Sequence, residues 1–209
     1  MRNDLESVRR VLLVLAALAE DQLRRALNAF FAGDAATARL VIAADADVDA
    51  LELRVDAAAV AAMAAAPAAH EVRAIVAAMS AATMLERIGA EAAGIAAAAL
   101  APYAPSTELG DLARLTRAAL TDAVEALYRS DAALARAVIA EERQRTAQAE
   151  HTARQIREGA LASAAKLAAA FHATEVLRRL DIVGVLATSV ARMALHAAEC
   201  DATADRSTA

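Results

Sequence analysis

The chain has no tryptophan, two tyrosines, three phenylalanines, three prolines, six glycines and one cysteine among its 209 residues. Each scarcity excludes something. Cys200 alone cannot close an internal disulfide, so a disulfide-stapled secreted scaffold is ruled out. The shortage of glycine, proline, aromatic and β-branched residues leaves little from which to build strands and turns. Basic runs are also missing. The formal net charge is -5, and Lys166 is the single lysine among bases that are otherwise arginine. Nucleic acid and anionic lipid are therefore poor candidates for the main partner. The mean hydropathy of +0.36 is inflated by alanine, and no stretch approaches the roughly 20 uninterrupted apolar residues of a membrane span.

What the chain has in abundance is alanine, roughly a third of the sequence and the best intrinsic helix former. An all-α fold follows. The segment VLLVLAALA after Arg9 and Arg10 imitates a secretion signal. An internal repeat argues against that reading. A shift of 97 residues lays GDAATARLVIA (Gly33 to Ala43) on SDAALARAVIA (Ser130 to Ala140), and ALNAFF on AVEALY. The same shift carries Leu12, Leu15 and Leu18 onto Leu109, Leu112 and Leu115, so the apparent signal has a copy in mid-chain.

Each half reads as three long helices, giving two tandem three-helix bundles and six antiparallel helices in all. The first unit covers residues 1–101. Its first helix closes at Gly33, Asp34 caps the second, and Pro67 and Glu71 open the third, which contains MLERIGAEAAGIA. Residues 102 to 106 are the joint. The second unit covers 106–200, with a break near 159–163, and a polar tail occupies 201–209.

Candidate chemistry is concentrated in acids. Asp45, Asp49, Glu52 and Asp56 fall within about 60° of one another on a helical wheel. A like-charge row of this kind costs about 0.2–0.5 kcal/mol per pair. It is either a hard-cation site, a surface for a cationic partner, or a solvated edge salt-bridged to neighbouring arginines. Glu86 lies on the core-directed stripe of the third helix with Val72, Ile75 and Met79. The four histidines form no ligand set, since His172 and Glu175, like His196 and Glu199, lack a second pair. There is no phosphate loop, nucleophile elbow or activated cysteine, and no enzyme is indicated.

Three blocks in order resemble the PhoU family of phosphate-uptake regulators: DADVDALE (Asp45 to Glu52), PAAHEVR (Pro67 to Arg73) and LERIGA (Leu85 to Ala90). Together with the repeat they span most of the chain. The resemblance implies a cytoplasmic adaptor, peripheral to the membrane at most. Its partners would be a phosphate ABC transporter ATPase and a sensor histidine kinase, both restrained when phosphate is plentiful. It also implies a possible homodimer. Several family members carry iron or zinc clusters on carboxylate motifs in helices two and three of each repeat. Carried onto this chain, those motifs leave Asp45, Asp49 and Glu86 as a residual half-site. They are broken at Ala90, at Thr146 (opposite Asp49), and at Arg178 and Ile182, since Leu177–Leu180 falls on Leu85–Ile88. Glu91 lies about 100° further round the helix than Ala90 and cannot replace the missing acid. The expectation is no cofactor, or weak Fe or Zn at most in the first repeat. A helical scaffold no longer tied to phosphate control is the alternative, and a carboxylate metal-binding bundle a more remote one.

Overall fold

The computed structural model describes residues 2–101, 106–161 and 164–207. The helices are α1 (Arg2–Ala32), α2 (Ala35–Ala43), α3 (Asp45–Ala64), α4 (Ala69–Ala98), α5 (Gly110–Arg129), α6 (Ala132–Ala140), α7 (Glu142–Ala160) and α8 (Ala164–Ser207), with a 3-10 turn at Thr107–Leu109. No strand occurs among the described residues, as the composition requires.

The expected second helix of each repeat is interrupted by one residue, Ala44 in the first and Glu141 in the second. Ala44 has φ -82 and ψ 0, too flat for regular helix, so the chain bends there. Its carbonyl is taken by Nε2 of the buried Gln22, 2.8 Å away on α1, which supports the bend from inside. With α2–α3 and α6–α7 each counted as one bent helix, the six-helix plan holds.

The repeat is visible in the turns. Asp34 Oδ1 accepts from the backbone N–H of Ala36 and Thr37, and Asp131 Oδ1 accepts from Ala133 and Leu134. The residue before each cap is left-handed, Gly33 at φ 65 and Ser130 at φ 53. Glycine reaches that region freely, whereas serine carries a Cβ penalty. Ser130 gains a compensating contact, because Arg9 Nη2 donates to its Oγ at 3.0 Å and to Tyr128 O at 3.1 Å.

Helix periodicity sets the core. Leu12, Leu15, Ala19, Leu23, Ala26 and Phe30 recur every three or four residues on α1 and are buried; Leu112, Thr116, Leu120, Ala123 and Leu127 do the same on α5. The imitation of a secretion signal is thus the core face of α1. The most extensive helix contact joins α4 to α8, the third helices of the two repeats, and one apolar cluster runs through both. Residues 102–105 of the joint and 162–163 of the expected break lie outside the described residues. The last helix continues to Ser207, into the stretch read as a polar tail. Over Lys166–Glu199, α8 is long and apolar enough to cross a membrane, but half of its most apolar 18-residue window is buried in the bundle. Its apolar face is used by the core.

Candidate functional site

The acids singled out from sequence lie where α3 faces α4. Val48, Leu51 and Val55 anchor α3 in the core, which leaves Asp45, Glu52 and Asp56 half-buried beside them and Asp49 exposed. Leu53 and Val60 on the same helix are each 67% exposed. On α4, Leu85, Ile88 and Gly89 are buried and bring Glu86 up against the same acids. Burial pushes the Glu86 carboxyl above its ordinary range, and Glu52, Asp49 and Asp45 push it further, against Arg87. The Asp45 carboxyl is raised too, by burial first and then by Asp49. Thr83 Oγ1 donates to Glu52 Oε1 at 2.9 Å, which ties α4 to α3 within this cluster.

Both glycines of MLERIGAEAAGIA have a packing role. A Cβ on Gly89 would stand 3.1 Å from Gln22 Oε1 and 3.1 Å from Val48 Cγ1, so glycine lets α4 close on α1 and α3. At Gly94 a Cβ would overlap the guanidinium of Arg179 from α8. That guanidinium pairs with Glu91 and Glu175, both at 2.9 Å. Glu91 is therefore the partner of an inter-repeat ion pair, a role that its position on the wheel did not announce.

The second repeat corrects one correspondence. Leu180 and Val183 are buried like Leu85 and Ile88, and Gly184 is buried like Gly89. These pairs are 95 residues apart, and the register based on Leu177 is out by one helical turn. LDIVG (Leu180 to Gly184) is thus the counterpart of LERIG, with Asp181 in the place of Glu86 and Val185 in that of Ala90. Arg178 and Ile182 do not occupy the acid positions. Arg178 is exposed and paired with Glu175 at 3.0 Å. The LRRL segment misled because its leucines share the spacing of LERI.

On this register Glu142, Arg145, Thr146 and Asp181 line one small pocket with Leu112, Thr116 and Gly184. Their first-repeat counterparts are Asp45, Val48, Asp49 and Glu86. The acids differ in what surrounds them. Arg192 Nη2 holds Glu142 Oε2 at 2.8 Å, and the buried Arg145 lies alongside. Burial lowers the affinity of Arg145 for its proton, and Glu141 and Glu142 oppose that. Asp181 stands at the rim and is raised by burial alone.

Residues 12–99 match the family model described as PhoU domain. The chain superposes with a TM-score of 0.90 on the structure titled crystal structure of PhoU from Pseudomonas aeruginosa, at 25% identity, covering 95% of this chain and 98% of that one. Residues 12–99 thus carry a PhoU domain, and the chain as a whole has the fold of a PhoU protein. A second PhoU structure, the phosphate transport system regulatory protein from Streptococcus pneumoniae, superposes at TM-score 0.84 and 20% identity, covering 94% and 95%. No curated protein sequence matches.

The PhoU resemblance brought with it the question of metal. Among the described residues, no three Asp, Glu, His or Cys side chains are placed to hold a metal ion together. Asp45, Asp49 and Glu86 repel one another through space without converging on a common point. The donor set does not fit a carboxylate-bridged cluster in either repeat. Of the four histidines, His172 Nε2 lies 3.0 Å from Ala98 O, and His151 and His196 are exposed.

Proposed function

We propose that this chain is a non-enzymatic regulator of phosphate transport, an adaptor that restrains a phosphate ABC transporter ATPase and a sensor histidine kinase when phosphate is plentiful. The observation that carries this reading is the match over 95% of the chain to a whole PhoU protein, rather than to an isolated bundle. The chain has the shape for such a role. Its exposed face of α3 presents Leu53, Ala57 and Val60 in successive turns, the kind of ridge that a partner helix can cover. Operation in the cytoplasm, where both partners would expose their soluble domains, and self-association as a homodimer belong to the same reading.

Two measurements test it. Phosphate uptake should become insensitive to external phosphate when the gene is removed, and should regain sensitivity on its return. Affinity capture with the intact chain should recover the transporter ATPase or the kinase. Unchanged uptake in the deletion, with neither component captured, would favour a helical scaffold outside phosphate control.

The reading includes no stable metal cluster, with weak Fe or Zn binding at Asp45, Asp49 and Glu86 at most. Elemental analysis of protein purified without chelator is expected to give well under one tightly held Fe or Zn per chain. Several per chain would overturn this part.

A further inference from the structure

One end of the interface between the repeats is filled and the other is hollow. At the filled end Phe30 of α1 meets His172 of α8, with ring centroids 6.4 Å apart, and His172 Nε2 lies 3.0 Å from Ala98 O of α4. The duplication places Leu127 in the position of Phe30, at the shift of 97. It places Ala77 in that of His172, at the shift of 95 that relates the third helices. Both rings are therefore missing at the other end. There Leu127 and Ala77 border a cavity of about 80 Å³, lined also by Val8 and Leu12 of α1 and Met193 of α8. That is room for about six water-sized groups. The walls are largely hydrocarbon, and apolar cavities stay dry rather than fill with water.

The charged exception in the lining is Arg9, which is exposed. Its Nη2 is held across the repeat boundary by Tyr128 O and Ser130 Oγ. Its Nε and Nη1 make no hydrogen bond among the described residues and are left for an anion. We propose that the cavity binds the alkyl chain of a medium-chain carboxylate, whose head group accepts from Arg9. Charge and shape together choose this occupant. Apolar walls give an inorganic phosphate ion no partners for its remaining oxygens, and a neutral hydrocarbon makes no use of the guanidinium. An amphipathic anion uses both. The lining follows α1 from Leu5 to Leu12, two turns or about 10 Å, which limits the length of the chain. Val8 and Arg9 come from the first repeat and Leu127, Ser130 and Met193 from the second, so the bound molecule braces one repeat against the other. The inference does not depend on what the protein regulates.

Octanoate is a suitable probe. Equilibrium dialysis of the full-length chain against labelled octanoate should show saturable binding of one molecule per chain, with an octanoate-dependent rise in Tm. Leu127→Phe puts back the ring found at the filled end and should weaken octanoate by about tenfold or more. Ala77→Leu fills the same space from α4 and should do likewise if the phenylalanine variant does not fold. Arg9→Gln should weaken octanoate by about fivefold, through loss of a charge-assisted contact, and leave the weaker binding of octanol unchanged. Octanoate uptake by the wild type that does not saturate would overturn the proposal. So would undiminished binding to a folded Leu127→Phe or Ala77→Leu variant, which would place the ligand elsewhere. An equal loss of octanoate and octanol in Arg9→Gln would also overturn it, because Arg9 would then support the cavity without recognising the carboxylate.

Discussion

The same two helix faces meet in both repeats, yet one encloses acids with little to balance them and the other brings its own cations. In the first repeat Asp45, Asp49, Glu52 and Glu86 gather around an apolar Val48, and Arg87 is the base that offsets Glu86. In the second, the counterparts Glu142 and Asp181 share their pocket with Arg145, and Arg192 holds Glu142. The sequence carries this in its totals: residues 1–100 contain 13 acids and 9 bases, residues 101–200 contain 12 of each. Duplication preserved the backbone, the caps and the apolar spacing, because those determine whether the bundle closes. It left the polar positions at the helix interface free to diverge in opposite directions.

The largest expected effect comes from deleting the internal cation. Arg145→Ala should lower stability by about 2–3 kcal/mol, through a cavity and two lost hydrogen bonds, to Val138 O and Thr188 Oγ1. A loss no greater than that of an average surface substitution, read by urea denaturation, would mean that Arg145 does not support the second repeat. Next is the contact that joins the repeats. Arg179→Ala should cost about 1–2 kcal/mol, since its partner Glu91 is half-buried. In that background Gly94→Ala should be worth about 1 kcal/mol in helix propensity. In the wild type the new methyl must evict the guanidinium, so the gain should shrink or vanish. A double-mutant cycle with zero coupling would contradict the packing described at Gly94.

The turn after the first helix offers a subtler contrast. Gly33→Ser should cost about 1 kcal/mol, because nothing near residue 33 repays the left-handed backbone. Ser130→Gly should be close to neutral, as relief of strain is set against the lost contact with Arg9. Chemical denaturation of the pair would show whether the repeats differ as stated.

Protonation gives a further handle. A carboxyl whose folded pKa is raised binds its proton more tightly in the native state than in the unfolded one. It therefore detracts from stability once ionised, and the loss is relieved as pH falls through the folded value. Asp45 and Glu86 start from ordinary values of 3.8 and 4.5, and both are raised. Stability should thus fall as pH rises from those values upward, and Asp45→Asn/Glu86→Gln should flatten that part of the profile. Glu175 acts in the opposite sense. Arg178 holds its carboxyl below the usual range, so its contribution is present above 4.5 and is lost on acidification. Tm measured across pH would separate the two arms.

Much of this was legible in the sequence. Alanine content and apolar spacing gave the helices. Asp34 and Asp131 announced their caps, and the shift of 97 exposed the duplication. LERIG pointed to the family through residues that pack. Other features could not be read. The bends at Ala44 and Glu141 depend on tertiary support, such as the bond from Gln22, which leaves no local signal. The register of the last helix was misread because LRRL and LDIVG both place leucine in step with LERIG, and burial alone distinguishes them. Arg145 was missed because it replaces valine at a position where helical periodicity expects a core residue.

The central claim is that equivalent acids have opposite electrostatic roles in the two repeats, and thermal denaturation of Asp45→Asn beside Glu142→Gln tests it most directly. The account predicts that Asp45→Asn leaves Tm unchanged or raises it slightly, by relief of like-charge pairs worth about 0.2–0.5 kcal/mol each. It predicts that Glu142→Gln lowers Tm, by the loss of an ion pair worth up to about 1 kcal/mol. A fall in Tm for Asp45→Asn, or a rise for Glu142→Gln, would contradict it.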